Sequence, residues 1–237
     1  MLAWAVAQGY LENNPATGIT HAGAKRAQWE SGRLPYDADD LAKLFSRDAV
    51  ELCRKRGSAD YWLPLLALFS GARLEELGQL RTADLRREDG VDFIAIEAGD
   101  GKRVKTRGSQ RRVPVHPELV RLGFLAYVAR QREAGAVRLF PDLKAPAGRP
   151  LTAPWSKWWG RHARKACGIT DKRKVFHSLR HAFIDAARLV MEEEHRNGIT
   201  GHANGSVGRR YGTGVSLKVL AESMAKLRYA ALDASGR

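Results

Sequence analysis

The sequence predicts a mostly α-helical protein with one small antiparallel β-sheet, an α+β fold. Over most of the chain, apolar residues recur every three to four positions, which is the period of an amphipathic helix. At residues 91–97 (VDFIAIE) the period changes to two around β-branched side chains, which predicts a strand. With 237 residues, of which 44% are hydrophobic, the chain can bury one substantial core.

The N-terminal part is predicted to be separate from the rest. Its opening, MLAWAVAQGYLE, predicts a helix that ends at Asn14 and Pro15. The residues that follow are rich in Gly, Ala and basic side chains, which indicates a linker. We therefore divide the chain into a helical stub at residues 1–19, a linker at 20–36 and a folded domain at 37–237.

Helices are predicted on both sides of the sheet. The block 61–70 is apolar nearly all round, so we expect it to be buried, with Gly71 interrupting the helix before it resumes through Leu80. Asp37 or Asp39 is expected to cap the preceding helix, which is predicted over residues 37–56. The other predicted helices run over residues 37–56, 117–134, 153–167, 177–191 and 216–231.

The predicted sheet continues after the turn signal GDGK, where RVKT and RRVPVH form further short strands. The segment 102–112 carries six basic residues and no acid, which suits a hairpin whose charge is neutralised by phosphates. Alternatively, the charge protects an edge strand from aggregation. The six are Lys102, Arg103, Lys105, Arg107, Arg111 and Arg112.

The net charge is the most unusual property of the composition. A formal net charge of +14 and a pI near 10.2 indicate a polyanionic partner. No basic amphipathic helix, lipidation signal or signal peptide points to a membrane. The two isolated cysteines indicate a reducing compartment, so we expect a cytoplasmic protein with no membrane partner.

Two short segments place polar groups where they can act together. In FHSLRHAFIDAARLV, one helix face is apolar, and the other presents His177 and Arg180 one turn apart. This face is either an ordinary solvated surface or a functional one. A zinc site at His177 and His181 is disfavoured because no third ligand lies nearby. In GARLEELGQL, Glu76 follows Arg73 by three residues and can orient its guanidinium, or form an ordinary helix salt bridge.

Taken together, residues 36–232 resemble the tyrosine recombinase (phage integrase) family. GARLEEL is similar to its first arginine box, KTRGSQRRVPVHPEL to its lysine hairpin and HSLRHAF to its H-x-x-R box. A Gly-His pair followed nine residues later by Tyr is similar to its terminal box. Each motif alone is loose, but four in this order are specific. The resemblance implies the catalytic-domain fold of that family.

The resemblance also implies a mechanism without metal, ATP or other cofactor. Tyr211 attacks the scissile phosphate and forms a 3′-phosphotyrosyl link, which frees a 5′-hydroxyl. Lys105 is the implied general acid for the leaving oxygen, with Lys102 as the competing assignment. Arg209 and Arg210 flank the tyrosine and join the hairpin residues as expected DNA contacts.

The remaining roles concern the phosphate itself. Arg73 and Arg180 are implied to bind its non-bridging oxygens, where planar guanidinium groups suit a pentacoordinate transition state. His177 is the implied general base or proton shuttle, and His202 the implied hydrogen-bond donor to the phosphate.

The function implied is site-specific recombination of double-stranded DNA attachment sites of a mobile genetic element. The alternatives are a type IB topoisomerase and a non-catalytic DNA-binding protein on the same fold; a metal-dependent nuclease lacks the carboxylate cluster it would need. The opening AWAVAQGYLENNPATGI resembles the end of the family's core-binding domain, so we expect a fragment rather than a compact integrase.

Near the C-terminus, apolar residues spaced three and four apart predict an apolar seam on one helix face. We expect this seam to pack either on the chain's own core or on a neighbour in a DNA-bound tetramer. Its residues are Leu217, Leu220, Met224, Leu227 and Ala231.

Overall fold

The computed structural model describes residues 2–15, 32–99, 101–102, 109–201 and 215–233. The chain divides into two compact units, residues 1–32 and 33–237. Helix α1 (Leu2–Ala7) lies in the first unit and ends earlier than predicted, because the chain turns at Gly9 (φ +76°). No helix within the described ranges is both long enough and apolar enough to cross a membrane.

The second unit is mostly helical with one small sheet, which confirms the predicted fold class. Its helices are α2 (Ala38–Leu44), α3 (Arg47–Arg56), α4 (Ser58–Ser70), α5 (Leu74–Gly78), α6 (Pro117–Arg121), α7 (Phe124–Glu133), α8 (Ala153–Lys165), α9 (His177–Val190), α10 (Glu193–Thr200), α11 (Leu217–Met224) and α12 (Ala230–Asp233). Asp37 caps α2 as predicted, accepting a hydrogen bond from the backbone N–H of Asp40. Helix α10 was not predicted.

Three predicted helices are shorter in the structure because local signals break them. The helix expected over 37–56 is split at Ser46, whose hydroxyl accepts the Ala49 N–H at 3.3 Å and caps α3. The helix expected over 117–134 is split at Gly123, which has a φ of +90°. The last one ends at Met224, and a short helix follows at α12.

Helix α4 forms the centre of the core. It is apolar all round because α3, α5 and α9 all pack against it, and Leu63, Leu66 and Phe69 on it are at most 1% exposed. The helix ends at Gly71, which adopts the left-handed conformation (φ +61°) beneath the ring of Phe183 from α9. Arg73 therefore lies two residues after this turn.

The sheet is antiparallel with the order β1 (Leu85–Glu88), β2 (Val91–Ile96), β3 (Arg111–Pro114). Strand β1 was not predicted, although Asp89 and Gly90 form the two-residue turn typical of a β-hairpin, both with positive φ. The predicted RVKT strand lies outside the described residues. Strand β2 is buried on both faces: one face joins the main core, and Phe93 and Ala95 on the other pack against Leu217 of α11.

The C-terminal apolar seam packs on the chain's own core, which is one of the two alternatives left open by the sequence. Leu217 and Leu220 are 6% exposed, and Met224 and Leu227 are at most 1% exposed. The hydroxyl of Tyr229 donates to the carbonyl oxygen of Leu68 at 2.9 Å, which fastens the segment to α4.

We predict that Gly71→Ala lowers the free energy of unfolding by about 3 kcal/mol or more. A Cβ there would lie 2.5 Å from Cδ1 of Phe183, and the left-handed backbone adds its own strain. The matched control is Gly90→Ala, where φ is also positive but nothing lies within 4 Å; we expect a loss of about 1 kcal/mol. Urea unfolding measures both, and equal losses would contradict the packing argument.

Candidate active site

Arg73 and Glu76 lie together at the start of the short helix α5. Arg73 is the N-cap residue, and the Glu76 carboxylate accepts its backbone N–H at 2.8 Å and its Nη1–H at 2.8 Å. The residue before Glu76, Glu75, accepts hydrogen bonds from the backbone N–H and the hydroxyl of Thr152 at 3.2 and 2.8 Å. Helix α5 is thus fixed by its own two carboxylates, and Arg73 with it.

The same carboxylate binds a second guanidinium, that of Arg111 at the start of β3. Nη2 of Arg111 donates to Oε2 of Glu76 at 2.8 Å, and Nη1 donates to Oε1 at 3.3 Å. Nε donates to the carbonyl oxygen of Ile199 at 2.6 Å, and Nη1 also donates to that of Ser109 at 2.8 Å. Arg111 was predicted to contact DNA, but its side chain is only 5% exposed and faces the protein interior.

Glu76 is held in its charged form by these contacts. Burial alone would raise the pKa of this 3% exposed carboxyl group, but the hydrogen bonds and charge of Arg111, together with the hydrogen bonds of Arg73, lower it to about 2. The group is therefore a permanent anion at neutral pH. Within the described residues, it is the carboxylate to which both arginines bond.

Arg180 enters the same cluster from α9. It is 2% exposed; Nη1 donates to the carbonyl oxygen of Gly71, and Nη2 donates to that of Thr200 at 2.8 Å. Burial, followed by the charges of Arg73 and Arg111, lowers the pKa of Arg180 to about 10, against the opposing effect of Glu76. The guanidinium remains charged at neutral pH and lies within the field of the other two.

His177 is the first residue of α9 and lies at the exposed edge of the cluster. Partial burial of its ring, with the nearby His181, Arg180 and Arg73, lowers the pKa of His177 to about 4. It is therefore neutral at pH 7 and can accept a proton. The rings of His177 and His181 meet edge to face at 4.9 Å. Across the described part of the chain, no three His, Cys, Asp or Glu side chains are arranged to hold a metal ion.

The fold is similar to those of solved integrase structures. The integrase from mycobacterium phage Brujita has a TM-score of 0.54 and 20% identity, over 97% of this chain and 68% of that one. The Tn1549 transposon integrase, solved in complex with transposon right end DNA, has a TM-score of 0.52 and 19% identity, over 95% of this chain and 75% of that one. This chain has the catalytic-domain fold of tyrosine recombinases. No family model and no curated sequence matches the chain.

On this tyrosine recombinase fold, four residues predicted to act on the phosphate or support that action come together: Arg73, Glu76, His177 and Arg180. Arg111, predicted to contact DNA, joins the same cluster. Other predicted site residues lie outside the described residues: Arg103, Lys105, Arg107, His202, Arg209, Arg210 and Tyr211. The described chain does reach the residues that flank two of these segments. Ser109 and Gly201 both lie against Arg111, the second with its Cα beside the guanidinium.

The two remaining basic residues of the hairpin prediction differ in their surroundings. Nζ of Lys102 bonds Oδ1 of Asp84 at 2.5 Å, and both side chains are at most 10% exposed. Arg112 is about half exposed, forms an ion pair with Glu88 and lies over the ring of Phe93. Arg112 is therefore ion-paired at the surface, whereas Lys102 is ion-paired in the interior.

The structure also shows a basic groove that was not predicted from the sequence. It has a volume of about 660 Å³ and borders α5, the helix that begins after Arg73. Exposed Arg138 and Arg149 line it, and exposed Lys144 lies in the adjoining depression with both of them. These residues are scattered over a loop region, so no periodicity or motif marks them in the sequence.

We predict that Glu76→Gln is less stable than the wild type at neutral pH and that most of this difference disappears in acid. A carboxyl pKa lowered from 4.5 to about 2 stabilises the fold above pH 4.5, and this contribution disappears as the pH falls towards 2. The two proteins should differ by on the order of 3 kcal/mol at pH 7 and converge near pH 2 in urea unfolding.

The control is Glu88→Gln, which removes a half-exposed ion pair with Arg112. Its effect should stay below about 1 kcal/mol at every pH. A difference for Glu76→Gln that does not change between pH 5 and pH 2 would contradict an ionised, ion-paired Glu76.

Proposed function

We propose that this protein is a site-specific DNA recombinase that cleaves and rejoins strands through a covalent 3′-phosphotyrosyl intermediate. The observation that carries this proposal is the cluster itself. Three guanidinium groups, of Arg73, Arg111 and Arg180, surround the single carboxylate of Glu76. Among the described residues, this cluster therefore combines more positive than negative charge in a largely buried place. A phosphodiester group supplies the missing anion, and its transition state carries a further negative charge.

The proposed cleavage step needs neither a metal ion nor water as the nucleophile. The phenol oxygen of Tyr211 attacks phosphorus and forms a phosphotyrosyl ester, while the bond from phosphorus to the 5′-oxygen breaks. Tyr211 loses its proton, and Lys105 donates one to the leaving 5′-oxygen. The reverse steps rejoin a strand. The energy of the broken bond is kept in the ester, so no ATP is needed.

His177 supports the proton transfer in this scheme. Its pKa of about 4 in the unliganded site keeps its ring neutral, so it can accept the phenolic proton. An anionic phosphate between Arg73 and Arg180 would raise that pKa by reversing the local charge. His202 is proposed to donate a hydrogen bond to the phosphate.

The proposed substrate is double-stranded DNA at an attachment site of a mobile element. The formal charge of +14 and the basic groove beside α5 support a polyanion that extends beyond the reacting phosphate. The Tn1549 integrase with the same fold was solved bound to transposon end DNA. Assembly as a tetramer on DNA and a cytoplasmic location belong to the same proposal.

We predict a covalent adduct at Tyr211. The protein is incubated with a pool of labelled, nicked, randomised duplexes in chelator, and the adduct resistant to SDS is mapped by peptide mass. Tyr211→Phe should abolish it, because the substitution removes the nucleophile and leaves the ring. An adduct at another tyrosine would refute the site. If supercoiled closed-circular DNA is relaxed but strands are never exchanged between two duplexes, the reaction is that of a topoisomerase.

We also predict that the basic groove binds the DNA backbone. Arg138→Gln and Arg149→Gln should each weaken binding to duplexes of unrelated sequence roughly fivefold at physiological salt, with a salt slope lower by about 1. Arg121→Gln is the control, since Arg121 pairs with Glu118 beside a different cavity. Fluorescence anisotropy at several salt concentrations measures the slopes. Equal slopes for all three variants would remove the groove from the DNA interface.

A further inference from the structure

Arg111 occupies a position that an ordinary surface ion pair does not explain. Its side chain is 5% exposed, and burying a guanidinium is unfavourable unless its N–H groups are paired. Here it makes hydrogen bonds to the Glu76 carboxylate and to two backbone carbonyl groups, those of Ser109 and Ile199. Only a planar, forked cation can make these contacts from one side chain.

The first consequence concerns the charge of Arg73. Without Arg111, the ion pair between Glu76 and Arg73 would remain, and the carboxylate would neutralise more of the charge of Arg73. With Arg111 present, the carboxylate divides its bonds between two guanidiniums, and Arg73, which is 26% exposed, keeps positive potential at the open side. Arg111 thus supplies charge to the site without reaching its surface.

The second consequence concerns the two chain segments that leave this point. Ser109 follows the segment 103–108, which contains Lys105, and Arg111 binds its carbonyl oxygen. Gly201 precedes His202, and a Cβ on Gly201 would lie 3.1 Å from Nη1 and 3.2 Å from Cδ of Arg111. The neighbouring Ile199 carbonyl also bonds Arg111. One side chain therefore anchors an end of each segment.

We propose that Arg111 is a positioning residue, which orients Glu76 and Arg73 and anchors the ends of the segments that carry Lys105 and His202. This inference rests on the recombinase function proposed above. It assigns to Arg111 a role in the reaction without contact with DNA. Its neighbour Arg112, on the opposite face of β3, has no such role, because it is half exposed and pairs with Glu88.

The test compares Arg111→Met with Arg121→Met, which removes a surface ion pair with Glu118, in the full chain. Formation of the Tyr211 adduct is measured on a nicked duplex under single-turnover conditions, together with DNA affinity and thermal unfolding. For Arg111→Met we expect a rate lower by on the order of 10²-fold and a DNA affinity within about threefold of the wild type. Arg121→Met should react at the wild-type rate. Equal effects of the two variants on the rate would overturn the proposal.

A second substrate separates positioning from general loss of structure. When the scissile phosphate is replaced by a neutral methylphosphonate, less positive charge is needed, so the defect of Arg111→Met should shrink to about fivefold or less. An equal defect on both substrates means that the residue is merely structural. If Arg111→Met fails to fold, Arg111→Lys replaces it, which keeps the charge and loses the fork; it should show an intermediate rate defect.

Hydrogen exchange tests the anchoring role of Arg111 independently of the proposed reaction. In Arg111→Met, the amides of residues 109–111 and 199–201 should exchange faster than in the wild type, while those of α4 should not change. Unchanged exchange in both segments would overturn the anchoring role whether or not the protein reacts with DNA. If the wild-type protein forms no adduct but Arg111→Met still exchanges faster than the wild type, the proposed reaction is refuted and the anchoring role is retained.

Discussion

The buried carboxylate of Glu76, shared between Arg73 and Arg111, is the interaction on which the rest of the site depends. A carboxylate with so little exposure is stable only when cations and N–H groups surround it, and here three N–H bonds of at most 2.8 Å do so. The same bonds place two guanidiniums side by side that would otherwise repel. An organised positive centre is therefore a product of folding, present before any anion arrives.

The fold makes this centre by bringing chain ends to one point. Helix α4 ends at Gly71, and the carbonyl oxygen of Gly71 accepts a hydrogen bond from Arg180 of α9. Arg180 also binds the last carbonyl of α10, and Arg111 binds the carbonyl before it. C-terminal helix carbonyls carry partial negative charge, so they hold the arginines without neutralising them. Packing of α4 against α9 thus determines the spacing of the charges.

The sequence predicts those parts of the fold and site that depend on local patterns. The apolar block of α4, its end at Gly71, the Arg73–Glu76 spacing and the polar face of α9 are all visible as short periods. Strand β1 was missed because its residues, LRRE, lack an alternating apolar pattern. Helix α10 was missed because Ile199 and Thr200 alone are buried on it. Arg111 was misplaced because a charge pattern does not distinguish an exposed guanidinium from one paired with a carboxylate 35 residues away.

We propose that this arginine cluster is the binding site for the scissile phosphate. Its most direct test is a crystal structure of the full chain with a nicked duplex and vanadate, which adopts the geometry of a pentacoordinate phosphate. We expect vanadate bonded to the Tyr211 oxygen, with Arg73 and Arg180 on its equatorial oxygens and Arg111 still on Glu76. Vanadate bound elsewhere on the duplex, with Arg73 and Arg180 contacting protein groups alone, would contradict it.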